Sequence, residues 1–180
     1  MLALGHGAST GIEAPDLQAL AGALPARGVT VALVEQPWRV AGRWSAPGTA
    51  TLDAAWREVW PHLAGPDLPV LAGGRSAGAR VACRTARSLG AAAVLALSFP
   101  LHAPMRPGQL WDPSELLGTG LPTLIVQGGD DPFGRPADFP PLPPGFGLTE
   151  IPHADHVFSG PGGSITLITE AVTGWLSRIL

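Results

Sequence analysis

The sequence predicts an α/β fold, a mostly parallel sheet of about six strands with helices on both faces. Three observations predict it. Short, almost wholly apolar runs recur along the chain, and strands without polar alternation belong in sheets covered on both faces. Longer stretches between them carry apolar residues at helical spacing. Glycine-rich turns follow several of the runs, where an open parallel sheet gathers its functional loops.

Met1 to Leu4 opens the series as a strand and runs into the loop Gly5-His6-Gly7-Ala8-Ser9-Thr10-Gly11. Pro15 to Ala26 reads as a helix, with Leu17, Leu20, Ala21 and Leu24 on one face and Gly28 just past its end. Val29 to Glu35 is β-branched and apolar, a strand expected to be covered on both faces. Gln36 to Pro47 reads as irregular. Leu52, Ala55, Trp56, Val59, Trp60 and Leu63 form the clearest helical stripe, with Thr49 or Thr51 available as a cap. Pro69 to Gly73 is a strand, Ser76 to Leu89 a helix and Ala91 to Ser98 a further buried-type strand. Phe99 to Gly120 is Pro-rich, with a short helix expected near Ser114 to Leu117. Pro122 to Gln127 is a strand closed by the turn Gly128-Gly129-Asp130-Asp131-Pro132. Phe133 to Pro144 reads as loop and Phe146 to Ile151 as the last strand. Ser164 to Leu180 closes the series as a helix with Ile165, Ile168, Val172, Trp175, Leu176 and Ile179 on one face.

At 180 residues the chain is expected to form one domain with a substantial core. Its net charge of −3 and lack of a basic cluster argue against a nucleic-acid partner. No apolar run reaches membrane-spanning length and no signal peptide is visible, so a cytoplasmic protein is expected. The sequence contains neither lysine nor tyrosine. That removes P-loop lysine, Schiff-base lysine and Tyr-Lys reductase chemistry from these residues. Cys83 is the single cysteine, which excludes an internal disulfide and a cysteine-rich metal site. It is expected to be a small buried residue. No metal and no cofactor are expected.

The chemistry centres on Gly74-Arg75-Ser76-Ala77-Gly78, a G-x-S-x-G motif between a strand and a helix. A serine at the apex of so sharp a turn is held in a strained conformation, and the residues two before and two after must be small because strand and helix nearly touch. The turn also leaves free helix N–H groups beside the hydroxyl. Serine needs a base. Of His6, His62, His102, His153 and His156, the last two follow the final strand and fit the chain order serine, acid, histidine, with His156 preferred. His6 is expected to be a hydrogen-bonding residue of its own loop. A carboxylate is needed to orient the base, and Asp130 and Asp131 both end the strand that should carry it. Two amides should form an oxyanion hole, one from Ala77 and the other from the His6-Gly7-Ala8 loop, at Ala8.

Together these pieces resemble the small α/β-hydrolases that lack a cap domain. The similarity is to the dienelactone-hydrolase-like group and, more closely, to short bacterial hydrolases carrying G-G-R-S-x-G. The matching segments are His6-Gly7-Ala8, Glu35-Gln36-Pro37, Gly73 to Gly78, Gln127 to Gly134 and Ala154 to Phe158. The resemblance implies that Asp131 rather than Asp130 is the acid. It also implies that His156, which precedes an apolar residue and then an aromatic one, is the base. The expected reaction is cleavage of a small-molecule carboxylic ester, or a thioester or amide, through an acyl-enzyme on Ser76. Trp38, His102 and Phe133 are expected to line the substrate site, with Trp44, Phe99, Leu101 and Trp111 as further candidates on loops.

Two rival readings attach to the same residues. Gly5-x-Gly7-x-x-x-Gly11 after a strand, with Glu35 ending the next strand, fits a nucleotide-dependent oxidoreductase. A hydrolase fold without chemistry, used as a binding module, is the other. Saturable NADH binding would mark the first, and an absence of both ester turnover and serine labelling the second.

Overall fold

The computed structural model describes residues 1–63, 65, 68–102, 113–160 and 164–180. Six strands form one sheet: β1 (Leu2–Gly5), β2 (Val31–Val34), β3 (Leu71–Arg75), β4 (Val94–Leu97), β5 (Thr123–Gly128) and β6 (Phe146–Ile151). They run in the order β2-β1-β3-β4-β5-β6, and every pairing is parallel. The helices are α1 (Pro15–Ala23), α2 (Pro37–Val40), α3 (Thr49–Leu63), α4 (Ala77–Thr85), α5 (Ser114–Leu117) and α6 (Ser164–Ile179).

The side-chain period of two along each strand divides the core into two apolar layers. Leu2, Leu4, Leu71, Leu95, Leu97, Leu124 and Val126 face one way and bury Leu17, Leu20 and Leu24, with Ile168, Val172 and Trp175 of α6. Ala3, Ala72, Val94, Ala96 and Ile125 face the other way and meet Leu52, Trp56 and Trp60 of α3, with Val81 and Ala82 of α4. Small residues on that second face let α4 approach the sheet, while the tryptophans of α3 fill the space beyond it. Cys83 is buried in this second layer, and burial drives its thiol pKa upward.

The helix after Ser76 ends at Thr85, short of the expected Leu89, with a 3₁₀ turn over Arg87–Leu89, and three further elements depart from expectation, each for a local reason. The first helix stops at Ala23; Pro25 supplies no N–H, a 3₁₀ turn covers Pro25–Arg27, and Gly28 closes it at φ 77°. Strand β2 packs Val31 and Leu33 on one core layer and Val34 on the other, but it is only half-buried along its length because it is an edge strand paired with β1 alone. The segment read as irregular contains α2, a single turn that Pro37 starts and the buried Trp38 anchors. Thr49 is the first residue of α3, and the helix's opening amides at Thr51 and Leu52 bond to the Gly48 carbonyl. Residues 103–112, which include Trp111, lie outside the described residues. Among the described residues, no helix is long and apolar enough to cross a membrane.

Candidate active site

All strands being parallel, their carboxyl ends share one edge of the sheet. The chain runs outward from β1 to β2 and then returns to β3, so the strand order reverses between β1 and β3. Clefts open at such a point. The loop after β1 carries Ala8, the turn after β3 carries Ser76, the turn after β5 carries Asp131, and the loop after β6 carries His156.

Ser76 sits between β3 and α4 at φ 52° and ψ −111°, a region in which a side-chain-bearing residue is strained. The crowding around it shows why the flanking residues are glycine. A Cβ on Gly74 would stand 2.6 Å from the Gly5 carbonyl oxygen, and one on Gly78 would stand 2.3 Å from the same atom. Both obstacles are backbone, which no rotamer relieves. Gly78→Ala is therefore expected to cost at least about 3 kcal/mol of stability, at the upper end of overpacking penalties. Urea unfolding measures it, and a wild-type midpoint would mean that the turn at Ser76 tolerates a larger side chain than this packing allows.

His156 Nε2 lies 2.9 Å from Ser76 Oγ, and its Nδ1 lies 2.8 Å from Asp131 Oδ2. The partners assign the tautomer. Asp131 Oδ2 can only accept from Nδ1, so a neutral ring has Nδ1–H and leaves Nε2 to accept the serine proton. Asp131 is 1% exposed, with Oδ2 also accepting from Gln127 Nε2 at 2.8 Å and Oδ1 accepting from the Phe133 amide at 2.8 Å. Phe133 packs edge-on against the His156 ring, with centroids 4.5 Å apart. This arrangement can remove a proton from Ser76 and hold the resulting imidazolium against a fixed carboxylate.

The neighbouring candidates sit elsewhere. Asp130 is 61% exposed in its side chain and lies 3.6 Å from the exposed His153. Asp155 accepts from the Val157 and Ser159 amides and so shapes the histidine loop. His6 is fully buried; its Nδ1 lies 2.8 Å from the Gly7 carbonyl, its Nε2 accepts from the Gln36 amide, and its carbonyl accepts from Gln36 Nε2.

A cavity of about 340 Å³ opens on Ser76, Ala77, Ala8 and His156. Its apolar wall is made by Ala46, Pro47, Leu52, Pro100 and Phe133, and its polar wall includes Arg80 and Arg84 of α4. Arg84 is clamped by Asp53 and bonds Glu115, which also takes Arg80 through two 2.7 Å bonds. Burial alone would lower the Arg84 pKa, but its bonds to Asp53 and the Glu115 charge outweigh that and raise it.

Two of the expected lining residues are displaced from this cavity. Trp38 is 2% exposed, in the second core layer, and packs edge-on against His6 at 5.1 Å, because the α2 turn points it inward. His102 is absent from the wall and turns toward Asp138, 4.0 Å away. Phe133 does line the cavity. Phe99 and Leu101 are core residues, and Trp44 is fully exposed. The sequence reading missed Ser9, Ala46, Pro47, Thr49, Leu52, Arg80, Arg84 and Pro100. Arg80 and Arg84 were the findable ones, since they lie four and eight residues beyond Ser76 on one helix face.

The glycine loop after β1 is engaged internally. The Gly11 amide donates to Glu13 Oε1 at 3.0 Å, and Glu35 lies 2.7 Å from His6 Nε2 and 3.8 Å from Arg39. The Gly11 amide that a dinucleotide would use is thus already bonded, and Glu35, the acid, faces the Arg39 guanidinium. Among the described residues, no cluster of His, Cys, Asp and Glu could hold a metal ion.

A search of curated proteins gave no match. Solved structures similar to this chain include a dienelactone hydrolase from Anabaena variabilis, at 23% identity and TM-score 0.73, covering 99% of this chain and 86% of that one. Est1E from Butyrivibrio proteoclasticus with ferulic acid bound aligns at 16% identity and TM-score 0.76, over 99% and 88% of the two chains. An α/β serine hydrolase without a lid from Xanthomonas campestris aligns at 18% identity and TM-score 0.70, over 99% and 82%. At these identities the likeness is one of fold. The alpha/beta hydrolase domain family matches residues 1–172, from the first strand into the last helix, and the chain belongs to that family.

Proposed function

We propose that this protein is a serine hydrolase that cleaves a carboxylic ester, with thioesters and amides as chemically adjacent substrates. The observation that carries the reading is the continuous hydrogen-bonded chain from Ser76 Oγ through His156 to the buried Asp131, opening on a cavity. His156 Nε2 takes the hydroxyl proton as Oγ attacks the carbonyl carbon. The tetrahedral oxyanion accepts hydrogen bonds from the Ala8 and Ala77 amides. Ala77 is the first residue of α4, so its N–H has no intrahelical acceptor. The imidazolium, stabilised by Asp131, then delivers its proton to the departing alkoxide. Water attacks the acyl-enzyme with the same base and regenerates Ser76. A small acyl or alcohol group with apolar character fits the wall from Ala46 to Phe133.

The test is a fluorophosphonate probe followed by peptide mass analysis, alongside a panel of 4-nitrophenyl esters of increasing acyl length. The expected result is one adduct, on Ser76, and turnover that peaks within the panel. A probe that leaves Ser76 unmodified, with no ester turned over, would remove the reading and favour the inactive binding module.

A further inference from the structure

Arg75, the residue before the nucleophile, is 2% exposed and is among the largest fully buried side chains. Its Nη1 donates to Thr10 Oγ1 at 3.1 Å and lies 3.7 Å from Oδ1 of Asp16, itself buried near the start of α1. Burial raises the Asp16 carboxyl pKa, and the Arg75 charge works against that rise. A buried cation is a costly way to fill a core, and an apolar side chain of similar volume packs as well or better. What an apolar side chain cannot do is hold a hydroxyl.

The held hydroxyl belongs to the loop that carries Ala8. That loop passes directly against the nucleophile: a Cβ on Gly7 would stand 3.4 Å from Ser76 Cβ and 3.7 Å from Thr10 Oγ1. One end of the loop is fastened by the bonds between His6 and Gln36, the other by Glu13 on the Gly11 amide. Between those fastenings, Thr10 bonds the Arg75 side chain, and the Arg75 backbone is bonded covalently to Ser76. The same residue therefore reaches both the nucleophile and the loop that supplies an oxyanion donor.

We infer that Arg75, neutralised by Asp16, is a positioning residue that sets the distance between the Ala8 amide and Ser76 by holding Thr10. The inference rests on the serine-hydrolase reading for its effect on rate, but the holding of the loop can be measured separately. Arginine suits the task because its permanently charged guanidinium can donate from Nη1 to the Thr10 hydroxyl while the same nitrogen stays within ion-pair range of Asp16.

The test uses Thr10→Val, which keeps the shape and removes the acceptor, and Thr10→Ser, which restores it. Thr10→Val is expected to speed amide hydrogen exchange in residues 6–11 and to lower kcat about tenfold with KM within about twofold, since a misplaced oxyanion donor weakens the transition state more than the bound ester. Thr10→Ser is expected to return both quantities to near wild type. Unchanged exchange in Thr10→Val would overturn the inference, as would unchanged kcat in an active enzyme, or a serine variant as impaired as the valine one. Faster loop exchange in a protein whose wild type turns over no ester would uphold the holding of the loop while removing the esterase reading.

Discussion

Ser76→Ala is expected to lower ester turnover by about 10⁶ and to abolish fluorophosphonate labelling. The size follows from what the hydroxyl is for. Without it, His156 still stands hydrogen-bonded to Asp131 and the proposed oxyanion amides are still in place, but no atom forms the acyl bond. The remaining site can only bind the ester and favour attack by water, worth about 10³–10⁴ over the uncatalysed reaction in enzymes of this chemistry. The substitution is mild for the fold. Alanine is smaller than serine, bears the same backbone strain at φ 52°, and Ser76 donates no capping bond to α4. Circular dichroism and thermal unfolding close to wild type should therefore accompany the loss. Full labelling of the alanine variant would show that the probe reacts elsewhere, and turnover within tenfold of wild type would remove Ser76 from the mechanism.

Much of this site was legible because its parts are short and local. The glycines at 74 and 78 report a backbone crowding that chain chemistry alone predicts, and the backbone atoms that a Cβ would meet at each position bear that reasoning out. The alternation of apolar runs and helical stripes carried the six-stranded parallel sheet, and its carboxyl edge is where the candidate loops gather. Periodicity was weakest where proline and single helical turns intervene. Pro25 cut the first helix short, and Pro37 built a turn in a stretch that reads as irregular.

Side-chain direction on loops was the least legible feature. Trp38 and His102 both follow strands, and nothing in their spacing says which way a one-turn helix or a Pro-rich loop will face them. Trp38 went inward, where burying a large aromatic ring gains more than leaving it at a cavity rim. Beside Phe133 and Pro100, much of the cavity wall came instead from α4 and from the residues before and at the start of α3, through the packing of α3 on α4 that no local pattern encodes. Choosing between the adjacent carboxylates Asp130 and Asp131 likewise required the resemblance, since both occupy the same turn. In three dimensions they differ sharply, one being nine-tenths and more buried against His156 and the other largely in solvent.

That difference makes Asp131→Asn the second substitution with a large expected effect. Every group that meets the Asp131 carboxylate is a donor: His156 Nδ1, Gln127 Nε2 and the Phe133 amide. An asparagine must put its NH₂ at one of the two oxygen positions. Placed at Oδ1 it faces the Phe133 N–H, donor against donor. Placed at Oδ2 it opposes Gln127 and donates to His156 Nδ1, which moves the ring proton to Nε2 and leaves the ring unable to accept from Ser76. Either way the imidazolium formed during attack also loses its negative partner. Turnover is expected to fall by about 10⁴ with the fold intact, the scale seen when a buried triad acid becomes an amide. Asp130→Asn serves as the matched control. Its carboxylate is largely in solvent and its ion-pair contact with His153 is exposed, so turnover is expected to stay within about twofold. Comparable losses from the two substitutions, or a larger one from Asp130, would reassign the acid and with it the geometry of proton transfer at Ser76.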